Sequence, residues 1–249
     1  MKQLFIVMGL ILLTTQSAWA TKEFIFYTYH NKPPYYLSGD SQANNSVAML
    51  YQTFVDSLNA QQSEYKIKLV YTPRGRIDSL LKNNTLNGAV IGVNPAWFKD
   101  KPMEKYIWSD GIMMDKDVII THQSQQFNYQ HPRDLEGKSL ALSRGLYYWG
   151  VTERVKENKI KMYETNADEQ NLNMVKFSRV DATIMSLPTA QYFFKSGFDV
   201  KDFKILEVPH DQFERMILFP KHTEDVYNTL NEEIKKAKQN KVWLDLTSH

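Results

Sequence analysis

The sequence predicts an α/β fold, with parallel strands carrying helices on their faces. Three observations carry that prediction. Strand-length apolar runs recur along the chain, and between them lie segments whose apolar residues repeat at every third and fourth position. The order strand–helix–strand–helix–strand then occurs in the first half of the chain, and a similar unit follows it. This order favours parallel strands covered by helices.

Phe24–Tyr29 (FIFYTY) is short, aromatic and bounded by a Pro-Pro turn, which predicts a buried strand. Ser46 is placed to cap a helix whose single apolar face is Val47, Leu50, Tyr51, Phe54, Val55 and Leu58. Ile67–Tyr71 is the second strand. Pro73 opens a short helix with Ile77, Leu80 and Leu81 inward, and Ala89–Val93 is the third strand. Asp117–Thr121 and Ser139–Leu142 begin the second unit, and Gly145 turns the chain toward a helix containing Val151 and Val155. A helix is expected near Asp168–Phe177, a strand at Val180–Met185, and a helix start at Pro188 followed by Ala190, Phe193 and Phe194. Arg215–Phe219 reads as the last strand. Thr223 then caps a helix with Glu224 and Asp225 at its positive end and the stripe Val226, Leu230, Ile234 and Ala237. Thr121–Arg133 is polar and reads as an exposed loop.

Residues 1–20 read as a signal peptide rather than as part of the fold. Lys2 precedes the apolar run Leu4–Leu13, and Ala18-Trp19-Ala20 is a small-x-small cleavage pattern, so the mature chain is expected to begin at Thr21 in the periplasm. The competing reading, a membrane anchor, needs about 20 apolar residues, roughly twice this run. The 249 residues include no cysteine, which excludes disulfides, thiolate metal sites, a cysteine nucleophile and a lipid-modified cysteine tether. Thirty basic residues face 28 acidic ones, and the leader takes away only Lys2; this near-neutrality carries no signal for nucleic acid. Aromatic residues make up 13% of the chain, with 14 Tyr and 5 Trp, suited both to cores and to wet clefts. Asn44-Asn45-Ser46 and Asn83-Asn84-Thr85 match a glycosylation pattern too short to carry weight.

Seven segments in order then carry a resemblance: Tyr27–Tyr36 (YTYHNKPPYY), Pro73–Arg76, Leu86–Val93, Tyr106–Gly111 (YIWSDG), Asp134–Gly145 (DLEGKSLALSRG), Arg179–Thr189 (RVDATIMSLPT) and Trp243 near the end. Together they resemble the family-3 extracellular solute-binding proteins, the periplasmic receptors of polar amino-acid ABC importers, over nearly the whole mature chain. The resemblance implies the two-lobed periplasmic binding protein fold of type II. Each lobe would be a mixed, mostly parallel sheet flanked by helices, and two crossover strands would join the lobes. Lobe one is expected over residues 21–112 and 213–249 and lobe two over residues 113–212, closing by hinge motion around a solute.

Ligands of open α/β sheets sit beyond the carboxyl ends of the strands, which selects four loops. The first holds Tyr29, His30, Tyr35 and Tyr36; the family has an acidic residue at the place of Tyr29, which offers a stacking face or packs in the core. The second, Asn94–Lys99, offers Asn94 in place of the family's hydroxyl, Trp97 for stacking, and Lys99 at best where the family has an Arg. In the third, Gly145 permits a tight turn whose following amides form an anion cradle, with Arg144 as a bidentate donor and Tyr148 as an aromatic wall. At the fourth, Ser186 stands where amino-acid binders place an aspartate for the ligand ammonium. With Tyr29 also uncharged, the usual zwitterion clamp is missing, which argues against an ordinary α-amino acid. Arg76 matches a recurrent family Arg on the helix after Pro73, where a structural salt bridge is the competing role. Asp211 is a weaker candidate.

The six histidines, His30, His122, His131, His210, His222 and His249, form no metal-ligand spacing, and no nucleophile elbow or phosphate loop is present. No metal or cofactor is expected. A dehydratase or lyase on the same fold is the enzyme alternative, with His30 and Glu164 as its acid–base candidates. The expectation is therefore a monomeric, non-enzymatic receptor for a small polar solute, acting with an ABC permease or, alternatively, with a sensor receptor in the membrane.

Overall fold

The computed structural model describes residues 21–37, 49–62 and 64–247. Ten strands form one curled mixed sheet: β1 (Lys22–Thr28), β2 (Tyr65–Tyr71), β3 (Ala89–Val93), β4 (Ile107–Trp108), β5 (Met113–His122), β6 (Ser139–Ser143), β7 (Lys161–Thr165), β8 (Ala182–Ser186), β9 (Phe203–Ile205) and β10 (Asp211–Phe219). The described helices are α1 (Leu50–Gln61), α2 (Arg74–Lys82), α3 (Val151–Lys156), α4 (Asp168–Lys176), α5 (Leu187–Ser196), α6 (Glu224–Ala237) and α7 (Lys241–Thr247). None of them is long and apolar enough to cross a membrane.

The strand order β2-β1-β3-β10-β5-β8-β6-β7 contains two parallel units, β2-β1-β3 and β8-β6-β7. Between them runs an antiparallel ribbon of β5 and β10. Each ribbon strand serves both halves. On β10, Asp211–Arg215 pairs with β5, and Met216–Leu218 continues onto β3. On β5, Met113–Asp117 pairs with β10, and Asp117–Thr121 continues onto β8. The reading of β5 as Asp117–Thr121 and of β10 as Arg215–Phe219 is therefore too short. Both strands extend to pair with each other, and that half of each carries charged residues instead of an apolar run.

Apolar packing divides in the same way. One cluster joins Phe26, Tyr51, Phe54 and Ile91 to Ile234 and Trp243, and a second on the other sheet face holds Ile77, Val90, Trp108 and Leu218. Two more, centred on Ile119, Leu140 and Val151 and on Ile120, Leu172 and Ala190, draw on residues between Val118 and Val208. Trp243 fastens the chain end: its indole N–H donates to Ile112 O at 2.9 Å, and its ring meets Phe54 edge-on at 4.9 Å.

The helix stripes fall as the periodicity requires. Leu50, Tyr51, Phe54, Val55 and Leu58 are buried on α1, and Leu230, Ile234 and Ala237 on α6. The expected cap Ser46 and Val47, the leader 1–20, the sequon at Asn44 and His249 lie outside the described residues. Thr223 does stand before α6, but its hydroxyl donates back to Pro220 O at 2.8 Å and leaves the helix amides uncapped. Strand β7 escaped the sequence reading because Lys161, Met162, Tyr163 and Glu164 form a partly exposed edge with no apolar run.

Candidate functional site

The two halves enclose a cavity of about 980 Å³ whose wall takes residues from both halves and from both ribbon strands. That volume lies at the upper end of the range for small-molecule sites.

Its floor is built on β10. In Phe213-Glu214-Arg215-Met216-Ile217, alternate residues turn inward, so Arg215 is buried between Phe213 and Ile217. The guanidinium would be prohibitively expensive there without partners. Its Nε donates to Asp115 Oδ2 at 2.5 Å, and its Nη1 donates to Gly92 O at 2.7 Å. Tyr35 donates its hydroxyl to the same Asp115 oxygen, and its ring lies 4.3 Å from the guanidinium. Burial works against the charge of Arg215, but Tyr35, Tyr51 and Asp115 outweigh it and hold the group cationic. Gly92 fits this arrangement because of its φ of +77°: a Cβ there would stand 1.9 Å from the Tyr51 hydroxyl oxygen.

His30 reaches the same floor from the loop after β1. Its Nε2 lies 3.3 Å from Arg215 Nη1. Arginine has only donors, so Nε2 accepts and the proton sits on Nδ1, which is buried without a partner among the described residues. Burial, reinforced by Arg215, Lys32 and Arg74, holds the imidazole well below its usual 6.5 and so neutral. Tyr29 packs beside it, ring centres 4.2 Å apart and tilted by 33°, and completes this wall with Trp97, whose ring packs edge-on against Phe213 at 4.8 Å. Arg74 orients both aromatics, donating to Trp97 O at 2.6 Å and to the Tyr29 hydroxyl at 3.3 Å. Asn94 lines the cavity too, but its amide is committed to Ala96 N–H at 2.9 Å and Glu214 O at 3.2 Å.

The second half contributes Gly145 and Tyr148, with Tyr147 and Trp149 exposed at the rim. Tyr148 is buried, accepts Ser143 N–H at 3.2 Å, and has its phenol pushed up, chiefly by burial. Asp117 on β5 and His210 and Asp211 at the start of β10 complete the wall. Burial lifts the Asp117 carboxyl from 3.8 to about 7, with Lys32 and Arg215 opposing and Asp115 and Asp211 reinforcing. Burial also lowers His210 to about 4. Its Nδ1 lies 3.0 Å from the Tyr129 hydroxyl, while its Nε2 is buried without a partner among the described residues.

Four residues expected at the site lie elsewhere. Tyr36 packs against the first apolar core, and Lys32, its bridge partner, faces the cavity. Arg76 is exposed; at 3.6 residues per turn it points nearly opposite to Arg74, which takes the cleft face. Arg144 turns outward to Glu164 at 3.3 Å, with 63% of its side chain exposed, and Glu164 lies outside the cavity with it. The expected anion cradle is absent beside Gly145, because α3 begins only at Val151 and the loop Leu146–Gly150 intervenes. Ser186 is fully buried beneath the wall. Its hydroxyl donates to Thr189 Oγ1 at 2.8 Å, and Thr189 donates across the halves to Pro33 O at 2.8 Å. A second cross-half contact pairs Lys32 Nζ with Asp168 Oδ2 at 3.3 Å.

The sequence reading missed Arg215, Asp115 and Asp117 as site residues and left Asp211 as a minor candidate. The available signal was charge at alternate positions of ribbon strands, Asp115 and Asp117 on β5 and Arg215 between Phe213 and Ile217 on β10. Among the described residues, no three His, Asp or Glu side chains assemble as a metal-binding group.

No protein-family model matches the chain, and no curated protein does. Solved structures do. A mutant of ArgBP from T. maritima is similar at 17% identity and a TM-score of 0.67, covering 90% of this chain and 93% of its own. The substrate-binding protein of an amino acid ABC transporter matches at 17% identity and 0.65, over 90% and 96%. An ancestral amino-acid-binding protein, a precursor of cyclohexadienyl dehydratase, matches at 17% and 0.66, over 90% and 93%. With its crossing ribbon, paired cores and shared cavity, the chain has the two-lobed α/β fold of the periplasmic substrate-binding proteins.

Proposed function

We propose that the chain is an exported solute-binding protein of the periplasm that captures one small polar solute, not an ordinary α-amino acid, and delivers it to a membrane ABC permease. The observation that carries this reading is the cavity walled by both halves, with polar groups set among aromatic side chains. Bending at the β5–β10 ribbon moves Tyr29 and Trp97 relative to Tyr148 and Gly145, so closure sandwiches the solute. Expelling water then strengthens every polar contact inside. The solute's affinity sets the population of the closed state, which is the form a permease reads. A sensor receptor would read the same closure.

The exclusion of ordinary α-amino acids rests on the missing clamp. Tyr29 is uncharged, Ser186 is turned into the interior, and Lys99 offers a point charge where a carboxylate is best held by a planar fork. A thermal-shift screen of the mature chain against amino acids, amines, organic acids, short peptides and sugars tests the reading. One class is expected to raise the melting temperature, and Trp97→Ala is expected to weaken that solute by about 3- to 10-fold. If no class stabilises the chain, solute capture is wrong.

A dehydratase or lyase is a second reading, favoured by Asp117, whose carboxyl at about 7 suits general acid–base work. Incubating the stabilising solute with the chain and following it by NMR separates the two. Unchanged solute supports a receptor, and a new product supports an enzyme.

A further inference from the structure

The charges around the cavity do not cancel evenly. Arg215 is held by Asp115, Lys32 by Asp168 at 3.3 Å, and Arg74 by Asp78 at 2.8 Å, while Lys99 and Lys101 also line the cavity, with Lys101 acting on Asp211. Of the three acids lining the cavity, Asp78 is thereby engaged, and Asp211 accepts Gln212 N–H at 2.9 Å. Asp117 differs: among the described residues, no donor bonds its carboxylate and no cation pairs with it. It lines the cavity from the end of the ribbon where β5 passes onto β8, paired with Asp211 on β10 and with Ser186 on β8. Half-buried, with neither donor nor counter-ion, this carboxylate is open to a cationic group entering the cavity.

A second observation lies next to it. His210, only 5% exposed, lines the same cavity and donates its backbone N–H to Asp117 O at 2.7 Å. With Nδ1 engaged by Tyr129, its Nε2 is a buried polar atom without a partner among the described residues. Tyr29, Trp97 and Tyr148 line the same cavity, and the Tyr29 and Trp97 rings already carry the guanidinium groups of Arg74 and Arg215 at 5.2 and 5.4 Å.

We infer that Asp117, with His210 beside it and aromatic faces around it, is the anchor for a positively charged nitrogen, so that the solute is an organic amine. This deepens the solute-binding reading and rests on it. The register Asp117–Ser186 gives it a structural sense. Asp117 pairs with Ser186 on the adjacent strand, and because Ser186 is fully buried with its hydroxyl given to Thr189, Asp117 is the carboxylate that lines the cavity at this level. Binding such a cation keeps Asp117 ionised and releases its proton. Lys32, Asp115, Asp211, Arg215, His210 and Tyr148 are the other charged or titratable groups facing it, and Lys32 and Arg215 are already neutralised by Asp168 and Asp115.

The test uses the full mature chain with four probes of similar length: putrescine, 4-aminobutyrate, succinate and 1,4-butanediol. Thermal shift and calorimetry are expected to show stabilisation by the amine-bearing probes alone. Asp117→Asn, which keeps the shape, is expected to weaken them by about tenfold or more while circular dichroism stays unchanged. Equal stabilisation by succinate or butanediol, an amine affinity indifferent to Asp117→Asn, or no response to either amine overturns the assignment. In any of those cases, a solute from the wider screen whose binding depends on Trp97 leaves solute capture standing. The absence of any such solute removes both.

Discussion

Replacing Arg215 with methionine is expected to destabilise the chain by about 3–5 kcal/mol in urea unfolding, the cost of breaking a buried ion pair from one side. Methionine keeps much of the apolar contact with Tyr35, Trp97 and Phe213, so the effect isolates the guanidinium. What remains is an Asp115 carboxylate with no side-chain exposure, supported among the described residues by Tyr35 and the Lys116 N–H at 2.7 Å. Gly92 O loses its short donor as well. The double variant Arg215→Met with Asp115→Leu removes the orphaned charge and is expected to recover most of the loss, because an apolar pair of similar volume replaces an ionic one at little net cost. A loss below about 1 kcal/mol for the single variant would show that water reaches Asp115 and that the floor is not dry.

Asp117→Asn is expected to act in the opposite direction and to depend on pH. The Asp117 carboxyl ionises at 3.8 in an unstructured chain and at about 7 in the folded one, burial being the main cause. Its contribution to stability is therefore fully present below 3.8 and is lost as pH rises through about 7, where the folded chain must carry the charge inside the cavity. Relative to the asparagine variant, the native chain should be equally stable near pH 4 and progressively less stable up to pH 8, by at most about 4 kcal/mol. Urea unfolding of both chains across that range measures the difference. Parallel curves at every pH would mean that Asp117 is hydrated. A saturating amine should shrink the gap at pH 8, since it binds only the native carboxylate tightly.

These two residues also show why part of the site was illegible in the sequence. The parallel units were readable where a strand is apolar on both sides, as in Ala89–Val93, and where a helix carries a one-sided stripe, as in the Leu50–Leu58 face, but not at the partly exposed edge strand β7. The loops after β1, β3 and β6 were readable as site loops because strand ends fix where such loops stand. Direction within them was not. Arg74 and Arg76 are two residues apart, and only packing decides which faces the cleft. Arg144 has a carboxylate neighbour, Glu164, that sequence distance conceals. Ser186 points down because Thr189 and Pro33, from opposite halves, meet beneath it. The ribbon was hidden most completely, since its charged segments at Met113–Asp117 and Asp211–Arg215 are partners across about 100 residues and show no local apolar pattern.

The central claim is that the two halves hinge and close around a solute, and a distance between the halves tests it most directly. The chain has no cysteine, so Glu104→Cys in the first half and Glu157→Cys in the second, both exposed, give a clean pair of spin-label sites. On saturation with a solute that raises the melting temperature, the interspin distance is expected to shorten and its distribution to narrow. A distribution unchanged by bound solute would contradict enclosure between moving lobes.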